Sequence, residues 1–318
     1  MLGYCKYLCN YLLQKNIGFK FSLKVNFKDE NVKRVFWLAI PVIVSTAVLP
    51  INSLVSTRLA SGMGESAVAA LEYAYKLFLV ISGVFTYAIG NIIFPELSRA
   101  NADKDEKAYV DLIHKAMRMI SFLLVPLTIG IIIYREDIVS TIYQRGEFDA
   151  NSTLMTAGTL LFYSIGIIGS GFVEIMNKAF YAKQDTKSPL KIGICVIIIN
   201  LVLSILLGNL MSFKGLALAT SISSIANAII LVIVANKNQK VILNKEIIYT
   251  ILKMLVCALA MGIVVYLINS LLLNFLTGMI NKNIIRMFIG AGVGVVVYYI
   301  LTMVFKINEL NLFKRKGG

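Results

Sequence analysis

Charge is what this sequence has least of. Only 15% of its 318 residues are Asp, Glu, Lys or Arg, against roughly a quarter in soluble domains, which argues against a water-soluble fold. Histidine is almost missing too. His114 is the only one, and a lone imidazole builds neither a metal site nor a Ser/His/Asp or Cys/His relay. It reads as a solvated residue at the membrane interface. The four cysteines, Cys5, Cys9, Cys195 and Cys257, show no metal spacing and no disulfide framework. There is no glycine loop to cradle a nucleotide phosphate. These absences exclude the common enzyme classes and an ATP-driven pump. No metal and no organic cofactor is expected.

Long apolar runs are what the chain does have. Hydrophobic residues make up 58% of it, and its mean hydropathy is +0.78. The runs are continuous rather than alternating, so they fit membrane helices and not barrel strands. Backbone groups in lipid must be satisfied within their own segment. The expected fold is therefore all-α, a polytopic membrane helix bundle of about eight transmembrane helices. They fall near 35–60, 67–94, 116–134, 154–181, 192–211, 215–235, 247–273 and 284–305. Pro41 and Pro50 should kink the first of these.

The net charge of +14 raises nucleic acid as a partner. The basic residues do not form one basic face, however; they gather on alternate loops. With residues 1–34 placed inside, 24 Lys and Arg lie on inside segments and 5 outside. That bias sets the topology, with both termini cytoplasmic. No nucleic acid partner is expected.

The candidate chemistry lies where charge enters the spans. Arg58 is near the outer end of the first span. Glu72 and Lys76 stand one turn apart on the second, share a face and are able to pair. Intramembrane charge is costly, so such residues usually face a watery cavity. Arg58 and Lys76, with Glu72 and Asn52, are the candidate wall of a cationic cavity for an anionic substrate. Snorkelling to the interface is the competing explanation. Glu174 and Lys178, also one turn apart, read as a neutralised structural pair. Asn200 and Ser204, with Thr220 and Ser56, form a possible ion site for a monovalent cation.

Several stretches, taken in order, resemble one family. Phe180-Tyr181-Ala182-Lys183-Gln184-Asp185-Thr186-Lys187-Ser188-Pro189 is similar to the Tyr-Ala-x-x-Asp-Thr-x-x-Pro loop of the MurJ (MviN) lipid II flippases. These belong to the multidrug/oligosaccharidyl-lipid/polysaccharide exporter superfamily. Arg145-Gly146-Glu147-Phe148 resembles the family's Arg-Gly-x-Phe, and Tyr73-Ala74-Tyr75-Lys76-Leu77 its Tyr-Ala-x-Arg-Leu. Pro95-Glu96-Leu97-Ser98 and Gly215-Leu216-Ala217-Leu218-Ala219-Thr220 match as well.

The resemblance implies two six-helix lobes around a central cationic cavity, plus a final pair flanking a groove for the lipid tail. Only part of that plan is expected here. Residues 1–34 would be the end of a truncated helix and a basic cytoplasmic linker. Residues 35–236 would be a six-helix C-terminal transporter lobe, and 237–318 a final transmembrane pair with a basic tail. The chain then reads as a fragment, or half of a split gene, whose N-terminal lobe comes from an adjacent reading frame. The implied activity is moving a lipid-linked anionic substrate, undecaprenyl-pyrophosphate-linked peptidoglycan precursor, from the inner to the outer leaflet of a bacterial plasma membrane. The alternatives are export of another lipid-linked sugar, a MATE-type antiporter, and a non-transporting relic. Lys76 stands where the family has Arg. Ser56 and Ser204 stand where some relatives place sodium-binding carboxylates.

Overall fold

The computed structural model describes residues 30–239, 245–275, 282–305 and 307. The helix tail expected at 1–17, most of the basic approach at 18–34, Cys5, Cys9 and the basic tail Lys314-Arg315-Lys316 lie outside them. The chain divides into two compact units, residues 1–40 and 41–318. Of the first, the described part is the opening stretch of a helix that leaves Phe36, Trp37 and Ile40 exposed.

Ten α-helices account for nearly all described residues, and no strand occurs among them. They are α1 (Glu30–Thr46), α2 (Val48–Ala60), α3 (Glu65–Ala102), α4 (Glu106–Tyr143) and α5 (Ala150–Ile165). Then come α6 (Ile167–Ala182), α7 (Lys187–Met211), α8 (Phe213–Gln239), α9 (Lys245–Phe275) and α10 (Lys282–Val304). Six of these, α3, α4 and α7 to α10, are long and apolar enough to cross a membrane, and α5 and α6 pass the same test only together, as a bent pair.

The first expected span differs. Residues 35–60 are not one membrane-length helix but parts of α1 and α2, of 17 and 13 residues. The interruption at Ala47 has a local cause. Pro50 has no N–H to give the Thr46 carbonyl, so the ladder passes around it, from Ala47 N–H to Ile43 O and from Ile51 N–H to Ala47 O. Pro95, by contrast, does not end the second span, because α3 runs on through it to Ala102. The third span, expected near 116–134, is the middle of the longer helix α4.

The bend in the fourth span, 44° between α5 and α6, is imposed by a distant residue. Ser221 of α8 donates its hydroxyl to the carbonyls of Phe162 (2.6 Å) and Tyr163 (3.2 Å). A side chain inserted into the ladder kinks a helix. Gly166 makes the approach possible, since a Cβ there would lie 2.7 Å from Ser221 Oγ.

Two hydrophobic clusters hold the second unit together. The larger joins α2 through α8, with the rings of Tyr75, Phe78 and Tyr163 in mutual contact at separations of 5.6–5.9 Å. The smaller packs Phe122, Val125 and Tyr134 of α4 against Met254, Cys257, Ala258 and Met261 of α9 and Tyr298 of α10. Helix α4 belongs to both, so it is the strut on which the last two helices are mounted.

Candidate functional site

The site is built on the first three turns of α3. Residues 65, 69, 72 and 76 follow helical spacing and are all exposed. With Ser61, Val68 and Tyr73 they line an open hollow of ≈ 360 Å³. Helix α3 starts abruptly because Gly64 reverses the chain from the short 3₁₀ turn Ser61–Met63.

The spacing of Glu72 and Lys76 suggests an ion pair, but none forms. Lys76 Nζ instead sits over the Tyr73 ring, 5.4 Å from its centroid. Tyr73 itself belongs to a cluster of three rings, with Tyr143 at 4.7 Å and Phe148 edge-on at 5.3 Å. Among the described residues, neither Lys76 nor Glu72 has a salt-bridge partner. Lys76 is therefore a free ammonium on a rigid aromatic base, beside space large enough for a ligand group.

The structure gathers only some of the expected residues. Arg58 is exposed in the last turn of α2, and its guanidinium does not line the hollow. Asn52 is buried at 2% exposure, away from that surface. Three lining residues, Ser61, Glu65 and Tyr73, went unread as candidates. The only sequence signal for them was the Tyr-Ala-Tyr-Lys stretch, which holds Tyr73.

Asn52 belongs with the four possible ion-site residues. Helices α2 and α7 pack together, and their ends meet where Ser212 Oγ contacts Met63 Sδ at 3.5 Å. Ser56 stands from Ser204, and Asn52 from Asn200, by the same sequence offset. Asn52 Oδ1, Ser56 Oγ, both amide atoms of Asn200 and Ser204 Oγ are buried without a hydrogen-bond partner among the described residues. Thr220 is engaged elsewhere, donating to Leu216 O at 3.1 Å and meeting the Tyr163 hydroxyl. The donors are all neutral. With no carboxylate to offset an ion's charge in a low-dielectric seam, they suit a tightly held cation poorly.

The two loop motifs explain themselves as construction. Gly146, at φ 57°, turns the chain so that Phe148 reaches Tyr73 and Tyr143, while Arg145 stays exposed. Asp149 then caps α5 by accepting from Ser152 N–H at 2.8 Å, and these backbone donors hold its carboxyl below the usual range. In the second loop Asp185 takes Ser188 N–H (3.0 Å) and Oγ (2.6 Å), capping α7. Thr186 is buried behind it. Pro189 falls in the first turn of α7, where no N–H is required. Just after half-buried Tyr181, Lys183 bridges back to Glu106 at 2.8 Å and lies over Tyr109 at 4.5 Å.

Comparison with known proteins decides the family. A family model described as lipid II flippase MurJ matches residues 3–286. The chain belongs to the MurJ family. A probable lipid II flippase MurJ from Rhizobium tropici is 29% identical over 81% of this chain and 48% of its own length. One from Haemophilus influenzae is 30% identical over 83% of the chain and 53% of its own length. The chain thus spans about half the length of the curated MurJ relatives it matches. In fold it is similar to the inward closed conformation of a lipid II flippase MurJ, at a TM-score of 0.71 and 22% identity, covering 94% of this chain and 59% of that one. A MATE transporter in the bent conformation follows at 0.58 and 15%, covering 86% and 66%. Its apolar spans and bacterial MurJ relatives place the chain in a bacterial membrane.

Proposed function

We propose that the chain supplies one lobe of a lipid II flippase, together with a final helix pair that guides the polyprenyl tail. The lobe works opposite a second helical lobe, whether on the same polypeptide or another. The lipid-linked pyrophosphate passes along the exposed face of α3, and both termini face the cytoplasm, a reading the positive-charge bias supports. Alternating access comes from rocking the two lobes around that face.

One observation supports this reading above the others. Lys76 is a fixed cation in a membrane-length helix, left unpaired beside an open hollow although Glu72 stands at pairing distance in sequence. An unpaired ammonium is a point donor for phosphate oxygens. Arg58, also exposed, is the second cation offered to the substrate as it leaves. No step relies on a cation held by Asn52, Ser56, Asn200 and Ser204.

The test is depletion and rescue. A strain whose own lipid II flippase can be shut off carries the intact locus of this chain, either unaltered or as Lys76→Ala or Lys76→Arg. Rescue by the unaltered and Arg forms with loss in the Ala form is the expected result. Full rescue by Lys76→Ala would refute the role.

A further inference from the structure

The hollow around Lys76 has the wrong charge for a bare diphosphate. It carries two carboxylates, Glu65 and Glu72, against one ammonium. Glu65 is explained by its position in the first turn of α3, where the helix dipole favours an acid. Glu72 is not. It lies two turns further in, beyond the dipole's reach, and makes no ion pair with Lys76 and no side-chain hydrogen bond among the described residues. A carboxylate left open beside a phosphate-binding lysine repels the phosphate it would otherwise help to hold. It pays back only if the ligand brings donors, because an ionised carboxylate accepts strong hydrogen bonds from hydroxyl and amide N–H groups. Next to it stands the Tyr73 ring, fixed by Tyr143 and Phe148.

The geometry points to Glu72 as a specificity-determining residue that reads the donor groups of a glycosylated phosphate. The hollow takes a phosphate bearing a hydroxyl- and amide-rich sugar and discriminates against the same phosphate without it. This inference rests on the reading of Lys76 as the phosphate holder.

The test measures binding to the full chain in lipid nanodiscs. One probe is farnesyl diphosphate. The other is the same molecule with N-acetylglucosamine on its terminal phosphate. The unaltered chain should bind the sugar-bearing probe about ten-fold tighter, the worth of one hydrogen bond to a charged group. Glu72→Gln should shrink that preference to about two-fold, chiefly by strengthening the bare diphosphate, whereas Glu72→Asp should keep it. Lys76→Gln should weaken both probes by a similar factor. Equal binding of the two probes, or a preference that survives Glu72→Gln, overturns the role of Glu72 and leaves the phosphate reading standing. Binding of neither probe, or binding indifferent to Lys76→Gln, overturns both.

Discussion

Two Glu–Lys pairs in this molecule have the same spacing and opposite fates. On α6, Glu174 and Lys178 close to 3.5 Å, with side chains 21% and 25% exposed. On α3, Glu72 and Lys76 stay apart. The difference is the neighbour. Glu174 and Lys178 lie across α3 at Gly90, where an added Cβ would meet Glu174 Cγ and Lys178 Cε each at 3.6 Å. Lys178 also sits 5.5 Å from the Phe94 ring centroid. With its stem packed on another helix, the lysine has lost most of its rotamers already, so pairing costs little more entropy. Glu72 and Lys76 face an open hollow, and Lys76 finds its own Tyr73 instead. A helix spacing makes an ion pair possible, and packing decides whether it forms.

The hardest break of this comparison lies at its enclosed extreme. Asp137 of α4 pairs with Arg286 of α10, their side chains 9% and 12% exposed, and Asn283 Nδ2 donates to Ser140 Oγ at 3.4 Å alongside. Asp137→Ala would strand a buried guanidinium and should cost about 3–5 kcal/mol. Unfolding in mixed micelles measures it. The double variant Asp137→Leu/Arg286→Met should recover most of the loss, because it removes both charges together.

This pair also marks how far the sequence could be read. The helical class, the positions of the spans after the first and the Glu174–Lys178 bond follow from local spacing, and so does the Pro50 interruption. Asp137–Arg286 does not, because the two residues are 149 positions apart. The α5/α6 bend was hidden for the same reason: Gly166 shows as a glycine, but Ser221, which opens the helix there, is a serine like any other. The candidate site was half legible. Lys76 stood out as a charge in an apolar run, while the aromatic base under it is assembled from two stretches far apart in sequence.

A carboxylate can also be occupied by backbone. Asp149 accepts the Ser152 amide and is held below its usual value by that bond. A depressed native value means that its contribution is present above the unfolded value and is lost as pH falls through the native one. Asp149→Ala should lower the melting temperature at neutral pH, and the gap to the unaltered chain should narrow on acidification. Asp149→Asn, which keeps an acceptor, should melt close to the unaltered chain at neutral pH and show less acid dependence.

The two Glu–Lys pairs themselves give the smallest and most direct measurement. A double-mutant cycle on Glu174 and Lys178, each changed to the neutral Gln or Met, should return a coupling of about 0.5 kcal/mol, typical of a partly exposed helix pair. The same cycle on Glu72 and Lys76 should return less than about 0.2 kcal/mol, since an unformed pair has nothing to lose. Added salt sharpens the contrast, because screening should erode the first value and leave the second near zero. A coupling at Glu72–Lys76 equal to that at Glu174–Lys178 would mean that Lys76 spends its time on Glu72. In that case it would not stand free for a phosphate, and the hollow beside it would lose the one charge that makes it a site.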